Sequence, residues 1–169
     1  PKTYLTDAEK RWFVSGADLK ETAAALDVFG RKEFGFTSLG TDLLIEIGDG
    51  AVVGIELCED MNAPIPTSAL LAVNGANVIV NPSASPELAG KHTQRSDRVK
   101  ANSVAATCIY AYVSAGATES TADLVYSGHS MIVENGTVLK ENENLIDSDY
   151  MIVQDCDLGR IRAERQKNP

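Results

Sequence analysis

Val52-Val53-Gly54-Ile55-Glu56-Leu57-Cys58, then Thr67-Ser68-Ala69-Leu70-Leu71-Ala72-Val73-Asn74-Gly75, then Ala76-Asn77-Val78-Ile79-Val80-Asn81 is the stretch that decides the fold. The first and last pieces are short, β-branched and apolar, which suits strands. The middle piece is helix-sized, with Thr67 or Ser68 available as N-cap and Gly75 as its stop. Outward from this core, Leu43–Ile47 reads as a strand joined to Val52 by the turn Gly48-Asp49-Gly50. Pro82–His92 reads as loop, and Thr93–Ala115 as the longest helix, because Val104, Cys108, Ile109 and Tyr112 recur at helical spacing. Ser127–Val133 and Thr137–Lys140 flank Asn135-Gly136, a strong hairpin signal. Tyr150–Asp155 is expected as a final strand, with a short helix starting near Asp157. Toward the N-terminus, Ala8–Phe13 is expected to be a short helix and Phe29–Gly40 a loop. Alternating strands and helices closed by a hairpin predict a layered α/β domain.

The 169 residues have the length of one domain and suffice for a hydrophobic core. A net charge of −9 argues against nucleic acid or an anionic membrane as partner. The apolar runs are strand-sized, so no membrane span is expected, and no signal peptide opens the chain. Cys58, Cys108 and Cys156 are widely spaced and odd in number, which suggests free thiols in the cytoplasm rather than a disulfide framework. Pro1-Lys2 at one end and the charged run Arg162–Lys167 at the other read as cuts within a longer protein.

Chemistry concentrates at Cys58, where a buried strand gives way to a loop. Ligands gather at the carboxyl ends of strands in open α/β sheets. A thiol there is accessible, and the N–H that follows it can face whatever the thiol attacks. Position alone leaves the reading of a packed core cysteine open, because free cysteines are usually buried.

The surrounding motifs carry more. Cys58-Glu59-Asp60, Pro64-Ile65-Pro66-Thr67-Ser68 and Asn81-Pro82-Ser83-Ala84-Ser85 resemble the nitrilase superfamily of carbon–nitrogen hydrolases. Asn81–Ser85 with Gly90-Lys91-His92, and the block Glu119–Ser130, resemble in particular the glutaminase domain of the glutamine-dependent NAD synthetases. The resemblance implies a nitrilase-type four-layer αββα sandwich over residues 1–169, incomplete because its N-terminal strands are missing. It implies a glutamine amidase that proceeds through a cysteine thioester. Ammonia would pass to a synthetase domain of the same polypeptide beyond Pro169. No cofactor is expected in this domain, since ATP and magnesium belong to that synthetase domain, and family members are usually homo-oligomers.

Family chemistry uses a Glu–Lys–Cys set. An ammonium favours the thiolate and stabilises the oxyanion, while a glutamate relays protons. Carried over by resemblance, Cys58 is the nucleophile. Lys2, in Pro1-Lys2-Thr3-Tyr4-Leu5, is the lysine. The N–H of Glu59 is the second oxyanion donor. Glu59 and Ser85 match positions that hold the amino-acid end of glutamine, and Lys91 would neutralise its carboxylate.

Two departures stand beside that match. The family's base glutamate precedes the lysine, and here only Pro1 does; Glu9, Glu56 and Glu119 do not match it. The isolated chain is therefore expected to be inactive. The loop after Leu5, longer in the family and containing Pro-Asn-Tyr, is replaced by Thr6-Asp7-Ala8 leading into Glu9; whether Glu9 positions the lysine is left open. His129 is expected to be structural, His92 to lie in a loop, Cys108 on a helix and Cys156 at a strand end. No His/Cys/Asp spacing suggests a metal, and no glycine-rich loop suggests a phosphate site. The rival readings are a stand-alone amidase acting on a small amide and a non-catalytic assembly module.

Overall fold

The computed structural model describes residues 2–18, 40–142 and 149–167. Six strands form one sheet in sequence order: β1 (Leu44–Glu46), β2 (Val52–Ile55), β3 (Val78–Ser83), β4 (Ile109–Ser114), β5 (Ser130–Glu134) and β6 (Thr137–Glu141). β2, β3 and β4 run parallel, and the outer pairs are antiparallel hairpins or returns. Helix α1 (Thr67–Val73) crosses over between β2 and β3, and α2 (Lys91–Ala105) between β3 and β4. A third helix, α3 (Leu158–Lys167), follows the sheet.

Turn chemistry matches expectation where it is strictest. Gly48, Asp49 and Gly50 all take positive φ between β1 and β2, and Asn135 and Gly136 do so between β5 and β6. The left-handed pair Asn135-Gly136, flanked by the paired residues Glu134 and Thr137, fits the twist of a two-residue hairpin. Gly75, at φ 114°, reverses the chain after α1.

The expected helix Thr93–Ala115 is corrected. α2 ends at Ala105, and Ile109–Ser114 is strand β4. Ile109-Tyr110-Ala111-Tyr112-Val113 is rich in β-branched and aromatic residues, and packing in a parallel sheet overrides the weak helical spacing. Tyr150–Asp155 forms no strand; it carries no regular structure and pairs with no ladder among the described residues. His92 is helical rather than in a loop, and Cys108 lies in the turn before β4, where burial pushes its thiol up to about 12. Cys156 is half-buried in extended chain, beyond any strand. Near the N-terminus, a single 3-10 turn over Glu9–Arg11 replaces the expected short helix. Of the expected loop at Phe29–Gly40, all but Gly40 lies outside the described residues.

The core lies between the sheet and α1/α2. Leu71, Ile79, Val99, Tyr110, Tyr112, Met131 and Val133 are sealed there. Gly54 of β2 is what lets α1 approach, since a Cβ at that position would lie 3.0 Å from a Leu71 methyl. At the opposite end from the motifs, α3 clasps the strand beginnings: Arg165 donates to the carbonyls of Ala76, Ala106 and Thr107. The sheet's other face carries Ile45, Val53, Ile55, Val78, Val80, Ala111, Val113 and Ile132 by alternation from the inner set. Sheets apolar on both sides are those covered on both sides.

Candidate active site

The residues in question gather at the carboxyl ends of β2, β3 and β4. Just past β2 the chain tightens into a 3-10 turn, Cys58–Asn62, with Cys58 itself at φ 50°. A left-handed non-glycine costs about 1 to 3 kcal/mol and persists only where surroundings enforce it. Here the enforcer is Asn81, at the end of β3. Its Oδ1 accepts the Cys58 N–H at 3.1 Å, and its Nδ2 reaches the Cys58 carbonyl at 3.4 Å. Cys58 is half-buried.

Behind Asn81 lies a buried polar chain that sequence reading missed. Tyr110 of β4 receives a hydrogen bond from Asn81 Nδ2 at 3.0 Å and donates its own hydroxyl to Glu56. The other oxygen of Glu56 accepts the Ser68 N–H at 2.7 Å and thereby caps α1. The N-cap role expected of Thr67 or Ser68 is thus taken by Glu56, just past β2, with Pro66 at the cap position. Burial raises the Glu56 pKa despite the hydrogen bonds from Tyr110 and Ser68 that oppose it. The available signal was its spacing: alternation from Gly54, which faces α1, carries past the end of β2 to Glu56 and turns that acid inward.

The N-terminal segment docks beside the same turn. The N–H groups of Thr3 and Tyr4 donate to the buried carboxylate of Asp60, at 2.9 and 2.6 Å. Lys2 places its ammonium 2.8 Å from both oxygens of Glu9. Thr6 holds Glu9 from the other side through its N–H and its hydroxyl. Burial would raise the Glu9 pKa, but the bonds from Lys2 and Thr6 together hold it below the usual carboxylate value.

Glu59, Ser85 and Lys91, far apart in sequence, line one cavity of about 250 Å³ together with Asn62, Gln94 and Arg95. Glu59 is exposed at its mouth, and Lys91 opens α2. The Ser85 N–H donates to Ser114 Oγ at 3.3 Å. Two larger cavities hold none of these groups: one of about 510 Å³ between the outer sheet face and Asp149–Ile152, and one of about 550 Å³ bordered by Tyr4, Leu5 and Phe13.

A second buried network backs the small cavity. Arg95 donates to Glu87 Oε2 at 3.1 Å and to His129 Nδ1 at 2.9 Å. Arginine has no acceptor, so His129 Nδ1 must accept and the ring proton sits on Nε2, donated to Glu141 at 2.8 Å. Burial lowers the His129 pKa. Ligand atoms of His92, His129 and Glu141 lie within 4.8 Å of one another, a cluster that spacing in the sequence did not reveal. With its proton on Nε2 and its ring stacked at 4.0 Å on His92, His129 has the geometry of a hydrogen-bond relay.

Comparison with known proteins fits this geometry. A glutamine-dependent NAD(+) synthetase of Mycobacterium leprae is 38% identical over 173 residues, spanning 98% of this chain and 24% of that protein. Its counterpart in Mycobacterium tuberculosis is 42% identical over 132 residues, spanning 76% of this chain and 19% of that protein. The crystal structure of a glutamine-dependent NAD(+) synthetase from Cytophaga hutchinsonii superposes with a TM-score of 0.61 at 25% identity, over 85% of this chain and 22% of that one. Saccharomyces cerevisiae Nit3, a member of the nitrilase superfamily, superposes with a TM-score of 0.58 at 19% identity over 82% of this chain and 49% of that one. The chain is thus similar to part of the glutamine-dependent NAD(+) synthetases, and it has the fold of nitrilase-superfamily proteins. No family model matches it. It spans about a quarter or less of the length of these curated relatives, and its sheet with two covering helices is one half of the family's αββα sandwich. Among the described residues no helix is long and apolar enough to cross a membrane.

Proposed function

We propose that this chain is the nucleophile-bearing part of a glutaminase that supplies ammonia to a synthetase domain of the same polypeptide. The observation that carries the reading is Cys58, held at a left-handed backbone position by Asn81 at the carboxyl edge of the sheet. That posture turns the chain out of β2 one residue before Glu59, which lines a cavity with Ser85 and Lys91.

Cys58 Sγ attacks the side-chain amide carbon of L-glutamine, and the carbonyl electrons move onto oxygen. The N–H of Glu59 and the ammonium of Lys2 stabilise that oxyanion. Glu59 and Lys2 sit on segments fixed to each other through Asp60. Collapse expels the amide nitrogen as ammonia, which takes up the proton given up by the Cys58 thiol, and leaves a thioester, which water hydrolyses to glutamate. Glu59 receives the substrate ammonium, with Ser85 and Lys91 facing its carboxylate. Glu9 holds Lys2 in place. No residue here matches the family's proton-relaying glutamate, so the 169 residues alone are expected to release no ammonia from glutamine.

The test uses the full-length protein. Ammonia release from L-glutamine should fall by at least about 1,000-fold in Cys58→Ala, since the covalent route disappears. Equal activity in parent and mutant would end the proposal. A synthetase that accepts free ammonium chloride in the Cys58→Ala protein would show that the two reactions are separable.

A further inference from the structure

Arg95 is the most deeply buried cation among the described residues, with 1% of its surface exposed, yet it lines the small cavity. One side of its guanidinium is occupied by Glu87 and His129. The other is not. Its Nε–H has no hydrogen-bond partner among the described residues, and Nη2 meets Ser85 Oγ only at 3.4 Å. An orphaned buried N–H is destabilising, and a fold retains one where a ligand supplies the acceptor. The Nε/Nη2 edge of an arginine presents two parallel donors, matched to the two oxygens of a carboxylate. The guanidinium carbon lies 5.8 Å from the Tyr112 ring centre, which fixes the tilt of that edge.

Charge balance points the same way. Lys91, Arg95 and Arg98 line or back the cavity against Glu59 and Glu87, leaving one positive charge in excess. A zwitterionic amino acid with its ammonium at Glu59 turns its carboxylate toward this cationic side of the cavity. Lys91 stands half-exposed at the start of α2, where water competes for its ammonium. Arg95 is dry, so its bonds discriminate more strongly.

Resting on the glutaminase reading, we infer that Arg95 is a specificity-determining residue of this cavity, binding the α-carboxylate of the substrate and selecting amides of α-amino acids over simple amides. Ser85, whose hydroxyl receives the weak bond from Nη2, yields that donor when the carboxylate enters.

The experiment compares kcat/KM of the full-length protein for L-glutamine and for the same molecule with its α-carboxylate replaced by a carboxamide. In Arg95→Met the preference for the carboxylate should fall by roughly 100-fold. In Arg95→Lys, which keeps the charge but loses the paired donors, it should fall by about 10-fold. A purely structural Arg95 would lower both rates together and leave their ratio intact, and an intact ratio overturns the inference. If Arg95→Met does not fold, the ratio in Arg95→Lys decides alone. A wild-type protein without glutaminase activity sinks the parent reading, whereas an active wild type with an unmoved ratio sinks only the role of Arg95.

Discussion

Cys58 could be picked out from its motif, but its posture could not. Positive φ at a cysteine comes from a neighbour 23 positions away, Asn81, which clasps both backbone groups of that one residue. Support for Asn81 comes in turn from Tyr110 and Glu56, each buried and each fulfilling the other's hydrogen-bonding need. Tyr110→Phe should therefore cost about 1 to 3 kcal/mol, because it leaves one Glu56 oxygen unpaired in a dry site. Chemical unfolding of the full-length protein measures this. If the chain of bonds serves the nucleophile, kcat for glutamine should fall further than KM rises; an unchanged kcat would reduce the network to packing.

At the scale of elements, two junctions govern the site. α1 packs on β2 through Gly54, whose missing side chain leaves room for Leu71 and Ala76. Gly54→Val should destabilise by about 1 to 3 kcal/mol through overpacking, read as a lowered denaturation midpoint. The second junction is the N-terminal segment, pinned by Asp60 and by the Lys2–Glu9 pair. The Glu9 pKa is lowered on folding, so its contribution is present above the ordinary carboxylate pKa and is lost as pH falls through the lowered value. Limited proteolysis within residues 2–18 should accordingly speed up on acidification below pH ~4.5. Glu9→Gln should show fast cleavage already at neutral pH; cleavage of this variant at the parent's rate would mean the pair does not hold the segment. Expectation failed at this scale where a short apolar run was ambiguous. Ile109–Ser114 suits a helix by spacing and a strand by composition, and the vacancy beside β3 settled the matter.

For the whole molecule, the outer sheet face is the telling feature. Ile45, Ile55 and Val113 remain 45, 45 and 47% exposed on a face that is apolar along its length. In the solved Nit3 structure this chain accounts for 49% of the protein, in keeping with a sheet built to face a second one. Val113→Lys should be nearly neutral if that face meets water, because the position is half-exposed. In a full-length protein whose second sheet covers it, a loss of about 3 kcal/mol or more is expected from a charge buried without a partner. Thermal denaturation of the full-length variant separates the two.

Features that are local or bound to a motif were legible along the chain: the Gly48–Gly50 and Asn135-Gly136 turns, the β2–α1–β3 unit, the family resemblance and the candidacy of Cys58. Each depends on residues close in the chain, whose backbone preferences and period act within one element. Which distant groups meet was set by the folding of these elements onto one another. Asn81 at Cys58, Glu56 at the start of α1, Glu9 at Lys2, and Arg95 between Glu87, His129 and Ser85 are contacts across strands and crossovers. Their worth arises from burial, since a hydrogen bond or charge acquires its strength and its direction once water is gone, and no spacing along a chain records where that happens.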